Sequence, residues 1–196
     1  MRDLIINSLK LSENLFHKNE LAFLSLTSKI ENPIRDALAY QLFNNLGNNF
    51  LVSREWNRTD IAILENDIPR VIIELKAMYS FDALIEKNIL NYLEKVNKDF
   101  NKTKKYAVKD TSAFFILLAT HPFEIVKSEF AKVVKYSNDI NRLLKYSSEL
   151  EIKETAKSNV LNYFSNFQCV STGELVGGKA FEIETNVLFW VFQEQI

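Results

Sequence analysis

The chain has 196 residues, 47% of them hydrophobic and 25% charged, and its 24 basic and 25 acidic side chains leave a formal net charge of −1. That size and apolar share suit one domain with a sizeable core and exclude a wholly disordered chain, while four glycines and three prolines exclude a collagen-like or low-complexity one. The single cysteine, Cys169, excludes an internal disulfide framework and a multi-cysteine zinc site. No apolar run nears the roughly 18 residues of a membrane span, and the start Met1-Arg2-Asp3-Leu4 does not read as a secretory signal. A cytoplasmic protein without a membrane segment is expected.

The chain opens with helical patterning. Leu4, Ile5, Leu9 and Leu11 predict one short helix, and Leu21, Phe23, Leu24 and Leu26 a second. Pro33 suits a first helical position. Ile34, Leu38, Leu42 and Leu46 then carry a stripe that Gly47 ends. Strands follow over 50–56, 60–64 and 70–78, the last two separated by a turn over 65–69. After Ser80 the period becomes helical through Ile85, Ile89, Leu93 and Val96. The apolar run over 113–119 reads as a strand buried on both faces. Helices are expected at about 123–136 and 150–165, with a polar helical stretch near 138–147. Gly177-Gly178 reads as a hairpin turn, and Val187 to Phe192 as a last strand. The order implies an α/β sandwich around one central sheet.

Charge within the second and third strands is the informative feature. Glu74 and Lys76 are two apart, so on a strand they share a face while Ile73 and Leu75 point to the other. Asp60 heads the preceding strand, and an antiparallel pairing would bring it to Glu74 and Lys76. Burying an unpaired charge costs several kcal/mol, so two acids and a lysine meeting there want a reason. A divalent cation held against a substrate phosphate supplies one: it polarises the phosphoryl oxygen and acidifies a water, while the lysine offsets growing negative charge.

Asp60, thirteen intervening residues, then Glu74-Leu75-Lys76 resembles the PD-(D/E)XK nuclease superfamily over residues 31–120. The resemblance implies the restriction-endonuclease-like fold, a central mixed β-sheet flanked by α-helices. Asp60 and Glu74 would be metal ligands, Lys76 the catalytic lysine, and Glu31, which precedes the helix expected from Pro33 to Leu46, the extra acid that the family often draws from its N-terminal helix. Thr59 stands where the family name has proline. The implied activity is Mg²⁺-dependent endodeoxyribonuclease cleavage of DNA, with Mn²⁺ substituting, as in a type II restriction enzyme or a related host-defence nuclease. Such an enzyme would act as a homodimer, and a restriction enzyme in particular would have a cognate methyltransferase. The alternatives are a non-catalytic nucleic-acid-binding or assembly subunit, and a repair, recombination or RNA-directed nuclease. Residues 1–196 read as a single nuclease domain: a helical extension over 1–30, a catalytic core over 31–120, and a helical and β part over 121–196 serving specificity or dimerisation.

Acid-x-Lys alone is a weak signal. It also occurs at Glu151-Ile152-Lys153, in a polar helical region, and what separates the two is the strand context of Glu74. From Lys87 to Lys109 seven lysines face two acids, a local net charge of +5. Lys95, Lys98 and Lys102 there are candidates for tracking phosphates, or form a solvated face in a chain with 18 lysines and 6 arginines. Arg58, in step with Asp60, is a candidate phosphate contact or a partner for a nearby acid. Trp56 reads as core or a hairpin anchor. His17 and His121 lack ligand spacing and Cys169 reads as buried and inert.

Overall fold

The structure, a computed structural model, describes residues 1–195. Six helices, α1 (Arg2–Leu11), α2 (Glu20–Thr27), α3 (Glu31–Asn45), α4 (Glu86–Thr103), α5 (Ser137–Leu144) and α6 (Glu149–Tyr163), surround six strands. The strands are β1 (Phe50–Arg54), β2 (Ile61–Glu65), β3 (Ile68–Tyr79), β4 (Ser112–Pro122), β5 (Gln168–Ala180) and β6 (Ile183–Gln195). They form one mixed sheet in the order β1-β2-β3-β4-β6-β5. Only the β3–β4 pairing is parallel, and α4 provides its crossover.

Alternation along the strands sends side chains to two separate cores. Ile61, Ile63, Val71, Ile73, Leu75, Phe114 and Phe189 pack against α1, α2 and α3. Met78, Phe115, Leu117, Trp190 and Phe192 pack against Ile89, Val96 and Phe100 of α4, against Ala156 and Val160 of α6 and against Phe164 just after it. A third cluster, with Leu26, Tyr79, Phe81, Val126, Val134, Ile140 and Ile183, closes one end of the sheet. Continuous burial from Ala113 to Pro122 reflects helices on both faces of β4. No helix among the described residues is long and apolar enough to cross a membrane.

Several boundaries differ from the sequence expectation. The α3 helix begins at Glu31, so Pro33 is its third residue and Glu31 lies in the first turn. Strand β1 stops at Arg54, and residues 56–58 make a short 3₁₀ turn. The turn between β2 and β3 is only Asn66-Asp67, both left-handed (φ 50° and 62°), the geometry that suits a two-residue hairpin. Segment 123–136 is not a helix: apart from a 3₁₀ turn at Ser128–Phe130 it is irregular. Val126 and Val134 anchor it to the third cluster, and Lys135 N–H donates to the Leu26 carbonyl, so tertiary contacts replace a helical ladder. Gly177-Gly178 is not the hairpin turn. The glycines form an irregularity inside β5, and the chain reverses at Phe181-Glu182 (φ 53° and 62°). A Cβ on Gly177 would collide with the Thr185 carbonyl oxygen, and Gly178 has a left-handed backbone (φ 85°) packed against Asn19, so neither position carries a side chain.

Candidate active site

Strand β3 outlasts its neighbour. Pairing with β2 ends at Ile61↔Ile73, whereas pairing with β4 continues to Tyr79↔Thr120. Beyond Ile73 the edge of β3 facing β2 therefore has backbone N–H groups without a strand partner, and these need acceptors. Two carboxylates supply them. Leu75 N–H donates to Asp60 Oδ2 at 2.7 Å, and Ala77 N–H donates to Glu31 Oε2 at 3.2 Å. Asp60 arrives from the loop before β2 and Glu31 from the first turn of α3, so three distant segments converge where the sheet splits.

Glu74 and Lys76 project to the α4 face of the same strand. Glu74 is 6% exposed and its Oε1 has no hydrogen-bond partner. Burial, reinforced by the Asp60 carboxylate, pushes its pKa from 4.5 up to about 8. Burial also raises the Glu31 carboxyl, with Lys76 opposing and Asp60 adding to the shift. Lys76 is half-buried. Burial disfavours its charge, but the Asp99 carboxylate at 2.7 Å, aided by Glu31 and Asp60, holds its pKa above the ordinary lysine value. Lys76 also donates to the Leu75 carbonyl at 2.9 Å.

Helix α4 completes the cluster. Asp99 and Lys102, one turn apart on the helix, face Lys76 and Glu74, two apart on the strand, with charges matched crosswise. Lys102 Nζ lies 3.6 Å from Glu74 Oε1 and also donates to the Arg58 carbonyl. Glu55, Asn57 and Arg58, just ahead of Asp60, all have left-handed backbones (φ 58°, 50° and 65°). Such conformations cost roughly 1 kcal/mol each in ordinary residues and persist here because Arg58 N–H and Thr59 N–H bond back to the Glu55 and Trp56 carbonyls. Arg35 pairs with Glu55 and with Asp36, both at 2.9 Å, bracing this loop against α3.

Asp60, Glu74, Lys76 and Glu31 thus lie together where β3 outlasts β2. Among the other candidates, Lys95 and Lys98 are exposed on α4, and Lys98 and Lys102 line an open groove along the surface of that helix with Asn101, Lys105 and the acids Glu94 and Asp99. The Arg58 side chain is exposed beside Asp60, in a depression shared with Arg35, Glu55 and Thr59. Asp99 is the residue that sequence reasoning missed; the available signal is that it is an acid inside a lysine-rich helix. Lys102 is a partner of Glu74 as well as a surface lysine. Trp56 packs edge-on to Tyr106, at 5.9 Å between ring centroids.

The remaining reactive groups have structural surroundings. His121 is fully buried, its Nδ1 3.0 Å from Ser80 Oγ and its Nε2 3.5 Å from Glu149 Oε2. Ser80 is itself 2% exposed, so this arrangement has no access for a substrate; it ties the ends of β3 and β4 to α6. His17 is exposed. Cys169 is half-buried rather than buried, and burial raises its thiol pKa, which keeps it unreactive.

Among the described residues no group of three or more His, Cys, Asp or Glu side chains stands ready to hold a metal ion. A two-carboxylate Mg²⁺ site needs no such cage, because water and substrate phosphate supply the other ligands. The donor set fits that chemistry: Asp60 and Glu74 are close enough to repel, and a buried Glu74 oxygen lacks a hydrogen-bond partner. Comparisons with protein-family models, curated proteins and solved structures found no match to this chain.

Proposed function

We propose that the chain is a Mg²⁺-dependent endodeoxyribonuclease with a restriction-endonuclease-like core. The observation that carries this reading is the buried Oε1 of Glu74 beside Asp60, which no group hydrogen-bonds, with Lys76 two residues further along the same strand. Asp60 and Glu74 would hold the cation. When bound, it would polarise a phosphoryl oxygen and acidify a water, chemistry suited to phosphodiester hydrolysis. Lys76, kept charged by Asp99 and oriented by the Leu75 carbonyl, would position the attacking water and offset charge growing on the phosphate. Glu31 spends one oxygen on Ala77 N–H and keeps the other free to orient Lys76 electrostatically. Lys98 and Lys105, on the groove beside the cluster, would hold the DNA backbone.

A type II restriction enzyme, or another host-defence nuclease acting as a homodimer, is the narrower form of this proposal. A second reading, a DNA-binding subunit without turnover, draws support from the ion pairs that already engage both Glu74 and Lys76. Incubating the protein with linear DNA, branched DNA and RNA in Mg²⁺, Mn²⁺ or EDTA separates these. Discrete DNA fragments, lost in EDTA and with Asp60→Asn, support the restriction form. A metal-dependent smear keeps the nuclease and removes the restriction role. Salt-sensitive binding without cleavage in either metal refutes the nuclease and favours the second reading.

A further inference from the structure

We propose that Lys102 is a resident counter-cation of Glu74, which a divalent cation must displace in order to bind. This rests on the reading of Asp60 and Glu74 as the metal ligands. The ammonium of Lys102 is poised between two segments: it donates to the Arg58 carbonyl, two residues before Asp60, and lies 3.6 Å from Glu74 Oε1. At that separation it sets a positive charge against the carboxyl without making a hydrogen bond, so Oε1 has an ionic neighbour but no hydrogen-bond partner. A cation seated on Glu74 would meet the ammonium within a few ångströms in a partly desolvated site, where like charges repel strongly. Both cannot hold the carboxylate together.

The surroundings allow the exchange. Lys102 is in the last turn of α4, its side chain is 30% exposed, and it borders the open groove of Lys98, Asn101 and Lys105. It can swing into that groove without moving the helix, whose buried contacts are made by Ile89, Val96 and Phe100. Asp99 stays on Lys76 throughout, so the exchange leaves the lysine of the motif held. Lys102 therefore sets the metal threshold of the site, tempering Glu74 when the cation is absent and opposing it on arrival.

The test uses the full chain stripped with EDTA and titrated with Mg²⁺ alone at one fixed pH for all variants, following the rise in melting temperature. Lys102→Met is expected to lower the Mg²⁺ concentration giving half the rise by about three- to tenfold, the effect of deleting one competing, part-buried ion pair. Lys105→Met removes the same charge from the same groove but has no partner in Glu74. It is expected to shift that concentration by less than about twofold, since distant charges are screened. Lys102→Gln repeats the measurement should the methionine disturb folding. Equal responses of the Lys102 and Lys105 variants, with binding still abolished by Glu74→Gln, overturn the counter-cation while leaving the metal site intact. If no protein gives a Glu74-dependent response to Mg²⁺, the metal-site reading itself falls and the inference with it.

Discussion

Replacing Glu74 by glutamine tests the electrostatic core of the site without reference to catalysis. In the metal-free protein the carboxyl has a pKa of about 8, against 4.5 for the unfolded reference, because it is buried beside Asp60. Between those values the folded state holds a proton that the unfolded state has released. Stability is then fully present below pH 4.5 and is lost as pH rises toward 8. At 1.36 kcal/mol per pH unit, the wild type forfeits about 3 kcal/mol at pH 7 through this one group. Glu74→Gln keeps the shape of the protonated acid and cannot ionise. It is expected to match the wild type near pH 4.5 and to exceed it by about 3 kcal/mol at pH 7, roughly 6–12 °C in melting temperature. Burial raises Glu31 and Asp82 in the same direction, so the difference between the two proteins, rather than either curve alone, isolates Glu74. Urea unfolding in EDTA at half-unit steps from pH 4.5 to 8.5 measures it. A difference that stays constant across that range would show that Glu74 ionises freely and would refute the reasoning.

Other outcomes follow from the same geometry. Lys76→Met should reduce cleavage at least about 100-fold, as expected for loss of a group stabilising developing charge, while the Mg²⁺-induced rise in melting temperature persists. Asp99→Asn frees Lys76 from its 2.7 Å partner; it should lower kcat about tenfold with little change in KM, and lost DNA binding instead would mean that Asp99 shapes the groove. Removing Lys98 should weaken DNA binding and reduce the log–log salt slope by about one, measured by fluorescence anisotropy. Gly177→Ala should destabilise the fold by about 1–3 kcal/mol in urea, because its methyl collides with the Thr185 carbonyl.

What was legible in the sequence was local. Asp60, Glu74 and Lys76 lie on one hairpin, and its period-two alternation and antiparallel register together bring them to one place. Glu31 required only that the preceding helix pack near that hairpin. Asp99 was hidden because its role depends on how α4 docks after the crossover, a tertiary event that spacing does not encode. Lys102 looked like one more solvated lysine for the same reason. The apolar residues of 123–136 are compatible with a helix, yet Val126 and Val134 are used one at a time to cap the end of the sheet. At Gly177-Gly178 the glycine signal was real but answered a close approach to Thr185 instead of a reversal. The left-handed run at Glu55, Asn57 and Arg58 has no glycine to announce it; backbone hydrogen bonds within the loop hold it in place.

Hydrolysis of DNA by the Asp60–Glu74–Lys76 cluster with a divalent cation is the proposal on which the rest depends. A time course of supercoiled plasmid with the wild type and Glu74→Gln side by side, in Mg²⁺ and then in excess EDTA, tests it most directly. Nicked or linear product is expected from the wild type in Mg²⁺ alone, and none from Glu74→Gln. Cleavage that survives EDTA, or equal cleavage by the folded Glu74→Gln protein, would contradict it.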